Sequence, residues 1–322
     1  MKILITGCCG FIGFSFANYL AKSRKKIKIV GIDNLSSYYS VNLKQERLKI
    51  LSMYKNFIFL KLDLVNYKLL SKIFKKNKFD YVFHLAAQAG VRYSITHPQK
   101  YIKSNINGFF NIIELSRNIG IKKIFYASSS SVYGDSNIFP LNEKNLIKPK
   151  NIYGLTKKFN EELAEIFSNF YNMKFVGFRF FTIYGEWGRP DMMILKYIEA
   201  SIKKKIFYLN NYGNHTRDFT YISDVIKIMD KLLSVKNKKN HEIFNICSNK
   251  PFKLLKVIKI LNSLTNIPRI KKVGYQKADV LKTHGSNRKI KKYLKFKQFT
   301  KIEKGLFNTF CWYKNYLKNN KL

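Results

Sequence analysis

The stretch "KILITGCCGFIG", residues 2–13, decides the fold of this chain. An apolar run ends at Gly7, and Gly10 and Gly13 follow before a helical pattern begins. Glycines at this spacing allow a tight turn and a close approach of the backbone to a ligand. The N-terminus of the following helix then offers free N–H groups and a positive dipole end to a pyrophosphate. The stretch therefore predicts a strand, a turn and a helix that together bind a dinucleotide.

Asp33 indicates which dinucleotide is bound. This residue ends the second apolar strand, "IKIVGID" (27–33), 20 residues after Gly13. A carboxylate at that point hydrogen-bonds a ribose 2′-hydroxyl and repels a 2′-phosphate, so we expect NAD rather than NADP. The alternative interpretation, that the glycines serve only helix–strand packing, explains neither their position directly after the first strand nor the presence of Asp33. The expected cofactor contacts in this part of the chain are Gly7, Gly10, Phe11, Ile12, Gly13, Asp33, Asn34, Asp63, Leu64, Leu85, Ala86 and Ala87.

Strand-like and helix-like segments alternate as far as about residue 185. Alternation at this spacing predicts an α/β fold with a doubly wound parallel sheet of the Rossmann type. Because the strands are apolar almost throughout, we expect helices on both faces of the sheet. After about residue 186 the pattern becomes irregular, which indicates a smaller C-terminal substrate-binding lobe with some segments returning to the sheet. The predicted domains are an NAD-binding domain at 1–175 and the substrate-binding lobe at 176–322.

The chain is strongly basic, with 60 Lys and Arg against 19 Asp and Glu and a formal net charge of +41. Such a charge is typical of proteins that bind nucleic acid or anionic membranes. The basic residues, however, are overwhelmingly lysine, are scattered along the whole chain and surround no recognisable nucleic-acid module. We interpret the charge as compositional drift and expect no nucleic-acid partner. Only nine of the 60 are arginine, whose planar fork lysine does not replace at bidentate sites.

Other features of the sequence exclude further classes of protein. No apolar run approaches the ~20 residues that span a bilayer, and the N-terminus enters a strand without the features of a signal peptide. We therefore expect a cytoplasmic protein without a membrane partner. The four cysteines and five histidines show neither metal-ligand spacing nor a disulfide framework, so we expect no metal.

Tyr153 and Lys157 form the candidate catalytic pair. They lie four residues apart in "YGLTK", on one face of a predicted helix at 152–172. A free tyrosine, with a pKa of about 10, is a poor base at neutral pH. An ammonium group about 4 Å away, at an effective dielectric constant of about 20, favours the phenolate by ~4 kcal/mol. We therefore expect Lys157 to lower the pKa of Tyr153 into the range useful for proton transfer.

Four serines, Ser128 to Ser131, follow an apolar strand in "FYASSSSVYG" (125–134), and no carboxylate lies among them. The glycine loop, these serines and Tyr153-x-x-x-Lys157 together resemble the extended short-chain dehydrogenase/reductase family. More narrowly, residues 1 to about 285 resemble its NAD-dependent nucleotide-sugar epimerases and dehydratases. The resemblance implies a homodimer built on the long helices near 100–118 and 152–172. It also implies that Ser129 bonds the sugar hydroxyl beside Tyr153, Lys157 binds the nicotinamide ribose, Asn105 supports the site, Phe181 packs near the nicotinamide and Arg217 holds the diphosphate.

The row of serines then indicates the reaction within this family. In the related 4,6-dehydratases, Asp and Glu stand at the positions of Ser130 and Ser131, and in UDP-glucuronate decarboxylases Glu stands at that of Ser131. This chain has neither acid, so elimination lacks its general acid and base. The reaction that these residues can still support is removal of hydride from C4 followed by its return to C4. The resemblance thus implies a 4-epimerase that keeps and recycles its NAD.

Two stretches, "AAQAGVRYS" (86–94) and "FFTIYGEWGRPDM" (180–192), resemble UDP-glucuronate 4-epimerases. A guanidinium holds a carboxylate through two parallel hydrogen bonds. We expect Arg92 and Arg189, helped by hydroxyl groups, to hold the C6 carboxylate near the plane of the C4 ketone and so to suppress loss of CO₂. The expected hydroxyls are those of Ser130, Ser131 and Thr182.

Alternatives remain open for these residues and for the function. Arg189 could instead form an incidental surface ion pair, and Arg92 could contact the diphosphate or brace a loop. Asp279, in "KADV" where relatives usually have Pro-Gly before the Asp, is expected near the uridine end. The protein could also be another UDP-hexose 4-epimerase, acting on glucose, galactose or their N-acetyl forms. From a different class, it could be a non-catalytic NAD-binding regulator or an RNA-associated basic protein.

Overall fold

The structure, a computed structural model, describes residues 1–236 and 238–319. Within these ranges a seven-stranded sheet has the order β10-β6-β5-β4-β1-β2-β3, and every neighbouring pair is parallel. Smaller sheets are formed by β11-β9-β7 and by β12-β8. The strands are β1 (Lys2–Thr6), β2 (Lys28–Asp33), β3 (Phe57–Lys61), β4 (Tyr81–His84), β5 (Lys123–Ser129), β6 (Phe175–Phe180), β7 (Thr182–Tyr184), β8 (Ile206–Asn210), β9 (Thr216–Tyr221), β10 (His241–Ile246), β11 (Pro251–Lys253) and β12 (Arg269–Val273).

Helices connect these strands. A π-helical segment, Ile102–Asn107, joins α5 to α6, so the expected long helix near 100–118 is continuous but not uniform. The other expected long helix is α7, which begins where the Asn151 side chain accepts a hydrogen bond from the Gly154 N–H. The helices are α1 (Phe11–Ser23), α2 (Val41–Ser52), α3 (Tyr67–Asn77), α4 (Tyr93–Thr96), α5 (Pro98–Tyr101), α6 (Gly108–Asn118), α7 (Ile152–Tyr171), α8 (Met193–Ile202), α9 (Ile222–Ser234), α10 (Leu254–Asn262), α11 (Arg288–Leu294) and α12 (Ile302–Asn319).

Both faces of the large sheet are buried, which explains the nearly continuous apolar strands. In β1, Ile3 and Ile5 belong to one apolar cluster, whereas Leu4, between them, belongs to the cluster on the other face. Helix α1 packs into the first cluster and helix α6 into the second. The predicted doubly wound parallel sheet is therefore confirmed.

The sheet order places the candidate functional residues at one edge. Strand β1 lies between β2 and β4, so the chain turns in opposite directions on its two sides. The carboxyl ends of parallel strands at such a reversal form a crevice, which is where ligands bind in open α/β sheets. The division into domains 1–175 and 176–322 stays a prediction; β10, from the second range, lies at the edge of the large sheet. Among the described helices, none has both the length and the apolar character needed to cross a membrane.

Candidate active site

A cavity of about 400 Å³ opens at the carboxyl ends of the central strands. It brings the glycine turn, the serines after β5 and the start of α7 to a single site. Both groups that the sequence assigns to cofactor and catalysis therefore share one cavity. The predicted residues that line it are Gly7, Gly10, Phe11, Ile12, Gly13, Asp33, Asn34, Asp63, Leu64, Leu85, Ala86, Ala87, Ser129, Ser130, Ser131, Tyr153, Lys157, Phe181, Thr182, Arg189, Arg217 and Asp279.

The glycine turn leaves no room for a side chain at Gly7 or Gly13. Gly7 has a φ of +70°, and a Cβ atom there would lie 2.7 Å from the backbone of Ala86. A Cβ atom on Gly13 would collide with the carbonyl oxygen of Gly7. Gly10 precedes α1, and no side chain caps the free N–H groups at this helix end. The turn therefore lets a ligand approach the free N–H groups at the start of α1, which fits the pyrophosphate of NAD.

Asp33 lies at the end of β2 in the same cavity. Its carboxylate accepts hydrogen bonds from the backbone N–H of Cys9, at 3.0 Å, and of Leu35, at 2.8 Å. These bonds fix the carboxylate beside the glycine turn, as a contact with the ribose requires. Lys44, which the sequence analysis missed, also lines the cavity and donates to the carbonyl oxygen of Ser36 at 2.5 Å.

Lys157 is fully buried and Tyr153 is partly buried, and burial shifts the pKa of both side chains. The Nζ of Lys157 donates to the carbonyl oxygen of Ala127 at 2.7 Å. Burial lowers the pKa of Lys157 to about 7, against the opposing charge of Glu161. Burial also raises the pKa of Tyr153, while the hydroxyl of Ser129 and the charge of Arg189 oppose this rise. The predicted lowering of the Tyr153 pKa by Lys157 is therefore wrong for this structure: burial sets the direction of the shift, the opposing effects come from Ser129 and Arg189, and the Lys157 amine is bonded to a carbonyl.

The serines after β5 divide into two roles. The hydroxyl of Ser128 donates to the Glu161 carboxylate at 2.5 Å, and Glu161 in turn pairs with Arg179 at 2.7 Å. This buried group braces β5 and β6 against α7. Ser129 interacts with Tyr153 and accepts a hydrogen bond from the N–H of Ser131 at 3.1 Å. Its neighbours Ser130 and Ser131 continue the cavity wall as a short 3₁₀ turn.

Arg189 lies in the loop between β7 and α8 and forms a wall of the cavity together with Thr182. Its guanidinium holds the carboxylate of Asp191 in a fork, with Nε donating at 3.0 Å and Nη2 at 2.6 Å. Nη1 donates to the carbonyl oxygen of Ala89 at 2.8 Å. The side chain is only 17% exposed, so this is not an incidental pair on the surface.

The structure does not bring Arg92 to the serines. Its guanidinium pairs with Asp279 at 2.6 Å and lines a neighbouring cavity of about 970 Å³. Arg217 lines both cavities; burial and the like charge of Arg92 lower its pKa to about 10, against the charge of Asp279. Two guanidinium groups around one carboxylate leave net positive charge there, which fits a diphosphate better than the predicted carboxylate cradle.

Asn105 also lies outside the cavity lining. It is fully buried in the π-helical segment, and its amide bonds the backbone N–H and C=O of Gln88 at 2.8 and 3.0 Å. It also donates to the hydroxyl of Thr156 at 3.0 Å. Asn105 thereby ties the segment after β4 to α7, behind the cavity wall, and a direct contact with the cofactor stays a prediction.

Arg47 is the clearest residue that sequence reasoning missed. It is fully buried on α2, and its Nη1 donates to the carbonyl oxygen of Cys9 at 2.8 Å. Its Nη2 donates to the carbonyl oxygens of Trp187, at 2.5 Å, and Gly188, at 3.1 Å. Arg47 thus joins the glycine turn to the loop that carries Arg189. The scarcity of arginine was the signal that could have identified it.

Cys8 and Cys9 lie beside Asp33, and among the described residues these three place potential metal-ligating atoms within 4.8 Å of one another. Both thiols are fully buried, and burial raises the pKa of Cys8 well above its usual value. A metal binds the thiolate, which such surroundings disfavour. The backbone N–H of Cys9 also occupies one oxygen of Asp33.

Comparison with known proteins places the chain among relatives of similar length. Residues 3–247 match the model of the NAD dependent epimerase/dehydratase family. An uncharacterised protein of Methanocaldococcus jannaschii is 43% identical over 322 residues, covering 99% of this chain and 97% of that protein. A UDP-glucuronate 4-epimerase of Thermodesulfobacterium geofontis is 36% identical over 313 residues, covering 97% and 95%. The UDP-glucuronic acid 4-epimerase of Bacillus cereus, solved with UDP-glucuronic acid and NAD, superposes with a TM-score of 0.92 at 30% identity, covering 98% of this chain and 100% of that one.

Proposed function

Because the chain belongs to the NAD-dependent epimerase/dehydratase family, we propose that it is an NAD-dependent 4-epimerase that interconverts UDP-glucuronate and UDP-galacturonate. One observation carries the proposal: Tyr153 and Ser129 share a cavity with the glycine turn, and the strand end beside them offers hydroxyls in place of acids. Elimination at C5 and C6 requires an acid and a base there. The hydroxyl row instead suits a sugar that is oxidised and reduced at C4 alone.

The residues of the cavity would hold both ligands. The turn from Gly7 to Gly13 would hold the pyrophosphate of NAD, and Asp33 would hold the adenosine ribose. When bound, NAD supplies the acceptor and later the donor of the C4 hydride. Arg217, with Arg92 and Asp279, would bind the diphosphate and uridine end of the substrate in the adjoining cavity.

Tyr153 performs the proton transfer at the C4 oxygen. Burial raises the pKa of Tyr153, and the positive charge of the nicotinamide would offset this rise when NAD is bound, so that the phenolate can form. The phenolate takes the proton of the 4-hydroxyl, and Ser129 hydrogen-bonds the same oxygen and orients it. After the 4-keto sugar has turned, Tyr153 returns the proton to that oxygen. Lys157, held by the carbonyl of Ala127, lies one helical turn from Tyr153, where it would bind the nicotinamide ribose.

Arg189 favours a uronate over a neutral hexose. A buried guanidinium in the wall that also contains Thr182 and Ser131 can hold a C6 carboxylate, whereas a C6 hydroxyl needs no such charge. A 4-keto uronate is a β-keto acid, so fixing its carboxylate near the ketone plane would also prevent the loss of CO₂. Two relatives named as UDP-glucuronate 4-epimerases support this choice.

The experiment supplies the purified protein with UDP-glucuronate, UDP-glucose and UDP-N-acetylglucosamine in separate reactions. The anomeric proton signals are followed by NMR. We expect UDP-galacturonate to form from UDP-glucuronate, with little conversion of the neutral sugars. Conversion of a neutral sugar alone would support the 4-epimerase activity but contradict the choice of a uronate as substrate. If no sugar is converted, the whole proposal is overturned.

A homodimer is part of the proposal. Helices α6 and α7 expose an apolar surface whose occupant, we propose, is the same surface of a second copy. Phe170 is 80% exposed and Leu155 57%, and these two large apolar side chains lie about four turns apart on the same helix, α7. The surface comprises Phe110, Leu155, Phe159, Ile166 and Phe170. Light scattering should give twice the chain mass, and Phe170→Asp should give the monomer; a monomeric wild-type protein would refute this point.

Location and pathway complete the proposal. The four cysteines are free, which suits the reducing cytoplasm. A UDP-linked uronate is an activated donor, so the product suits polysaccharide biosynthesis. Cell fractionation, followed by tracing of labelled galacturonate into the glycans of the host, tests both points; label in small molecules alone would argue against the second.

A further inference from the structure

Arg189 already holds a carboxylate that belongs to the protein. Asp191 lies two residues along the same loop, and both of its oxygens accept hydrogen bonds from one edge of the guanidinium. The hydroxyl of Tyr38 donates to the same carboxylate at 3.2 Å. The side chain of Asp191 is 30% exposed and lines the larger cavity, into which Arg189 also faces.

A count of donors shows what this pair prevents. A guanidinium has five N–H donors. Two bond Asp191, one bonds the carbonyl oxygen of Ala89, and one lies 3.4 Å from the hydroxyl of Tyr38. The single remaining donor belongs to Nη1. No two adjacent N–H groups are free, so a second carboxylate cannot form two parallel hydrogen bonds unless a present partner leaves.

Charge adds to this geometric restriction. A uronate that approaches Arg189 meets a neutral ion pair, and Asp191 repels its carboxylate. Although burial opposes ionisation, Arg189 and the Tyr38 hydroxyl hold the pKa of Asp191 below its usual range, so the repulsion persists at neutral pH. A neutral hexose with a C6 hydroxyl meets no such repulsion.

We infer that Asp191 is an internal competitor of the substrate carboxylate, and that a uronate binds by displacing Asp191 from the fork of Arg189. This inference rests on the proposed function and identifies Asp191 as a residue that sets specificity. The loop keeps Arg189 buried and paired until a carboxylate arrives, and Tyr38 remains as the partner of the displaced Asp191. The substrate must therefore supply a better geometry than Asp191 does, which a C6 hydroxyl cannot.

Affinities for a charged and a neutral ligand test the inference. Tyr153→Phe is placed in every protein so that no turnover occurs in the calorimeter, and UDP-glucuronate and UDP-glucose are titrated into the NAD-loaded protein. Asp191→Asn preserves shape and removes the charge. Since removal of the competing charge leaves Arg189 free to bond the charged ligand, we expect the preference for UDP-glucuronate over UDP-glucose to rise on the order of tenfold or more. The control Tyr38→Phe keeps both charges and should change the preference less than about threefold.

The opposite reading is that Asp191 only orients Arg189 for the substrate. In that case Asp191→Asn lowers the preference for UDP-glucuronate or leaves it unchanged, and either result overturns the inference. Crystal structures of the Tyr153→Phe protein give a second measurement that does not depend on the Asp191 variant. With UDP-glucuronate, Arg189 should release Asp191 and hold the sugar carboxylate; with UDP-glucose the pair should persist. An unchanged pair in both complexes refutes the inference. The proposed function is tested separately, by turnover in the wild-type protein.

Discussion

Arg47 donates a hydrogen bond of 3.1 Å from α2 to the carbonyl oxygen of Gly188, the residue directly before Arg189. The same guanidinium holds the carbonyl oxygen of Cys9 in the glycine turn. The turn that would bind the cofactor and the loop that would bind the uronate therefore share one buried cation. A change at Arg47 should affect both ligands together.

Arg47→Met should destabilise the protein by about 3–5 kcal/mol, because it leaves buried carbonyl oxygens without donors. Urea unfolding measures this loss, and the NAD content of the purified variant should fall as well. The control is Arg269→Met, an exposed position on β12, which should change stability by about 0.5 kcal/mol or less. Normal stability and NAD content in Arg47→Met would contradict the role assigned to Arg47.

Gly13→Ala should abolish retention of NAD. A Cβ atom at this position collides with the carbonyl oxygen of Gly7, so the turn must move away from the start of α1 and its free N–H groups. The bound nucleotide can be released by heat and quantified by chromatography. Gly274→Ala is the matched control, since a Cβ atom there meets nothing within 4 Å. A Gly13→Ala protein that carries NAD at the wild-type level would show that the turn does not hold the nucleotide.

Arg189 should influence the pH dependence of catalysis through Tyr153. Burial raises the pKa of Tyr153, and the positive charge of Arg189 opposes the rise. Removal of that charge disfavours the phenolate and raises the pKa further, so the acidic limb of the pH profile of kcat/KM should move to higher pH in Arg189→Ala. Arg189→Lys keeps the charge and should leave the limb near its wild-type position. If the acidic limb does not move in Arg189→Ala, or moves equally in both variants, the charge of Arg189 does not influence the pKa of Tyr153 and the prediction is wrong.

Glu161→Gln should lower the free energy of unfolding much more than Glu162→Gln does, because Glu161 is buried and Glu162 is exposed. Arg179 is buried and pairs with Glu161 through two hydrogen bonds, so the substitution leaves a buried charge without its counter-ion, at a cost of about 3–5 kcal/mol. Glu162→Gln breaks only the exposed pair with Lys158 and should cost less than about 1 kcal/mol. Urea unfolding of both variants measures the difference. Similar losses of unfolding free energy would show that the buried pair stabilises the protein no more than the exposed pair does.

The fold and the cofactor turn were predictable because their signals are local. The spacing of Gly7, Gly10 and Gly13 and the position of Asp33 depend on a single βαβ unit, and the structure places all four in one cavity. Spacing along one helix likewise placed Tyr153 and Lys157 on the same face. Residue spacing gives no information about desolvation, because desolvation depends on everything that packs around the helix. The direction of the Tyr153 pKa shift was therefore predicted wrongly.

Long-range pairs were not predictable for a different reason. Arg92 meets Asp279 across 187 positions of sequence, and Tyr38 meets Asp191 across 153. Neither pair has a periodic pattern, because each joins loops that only the folded sheet brings together. Arg92 was therefore expected beside the serines and lies instead beside Asp279. The scarcity of arginine indicated which side chains mattered but not which partners they would have.

The central claim is that hydride leaves and returns at C4 while C5 and the carboxylate stay untouched. The most direct measurement uses UDP-glucuronate labelled with deuterium at C4, incubated with the purified protein in ordinary water, and a parallel reaction of unlabelled substrate in D₂O. We expect the UDP-galacturonate formed to keep deuterium at C4 in the first reaction and to take none at C5 in the second. Loss of the C4 label to solvent, or incorporation at C5, would contradict the account.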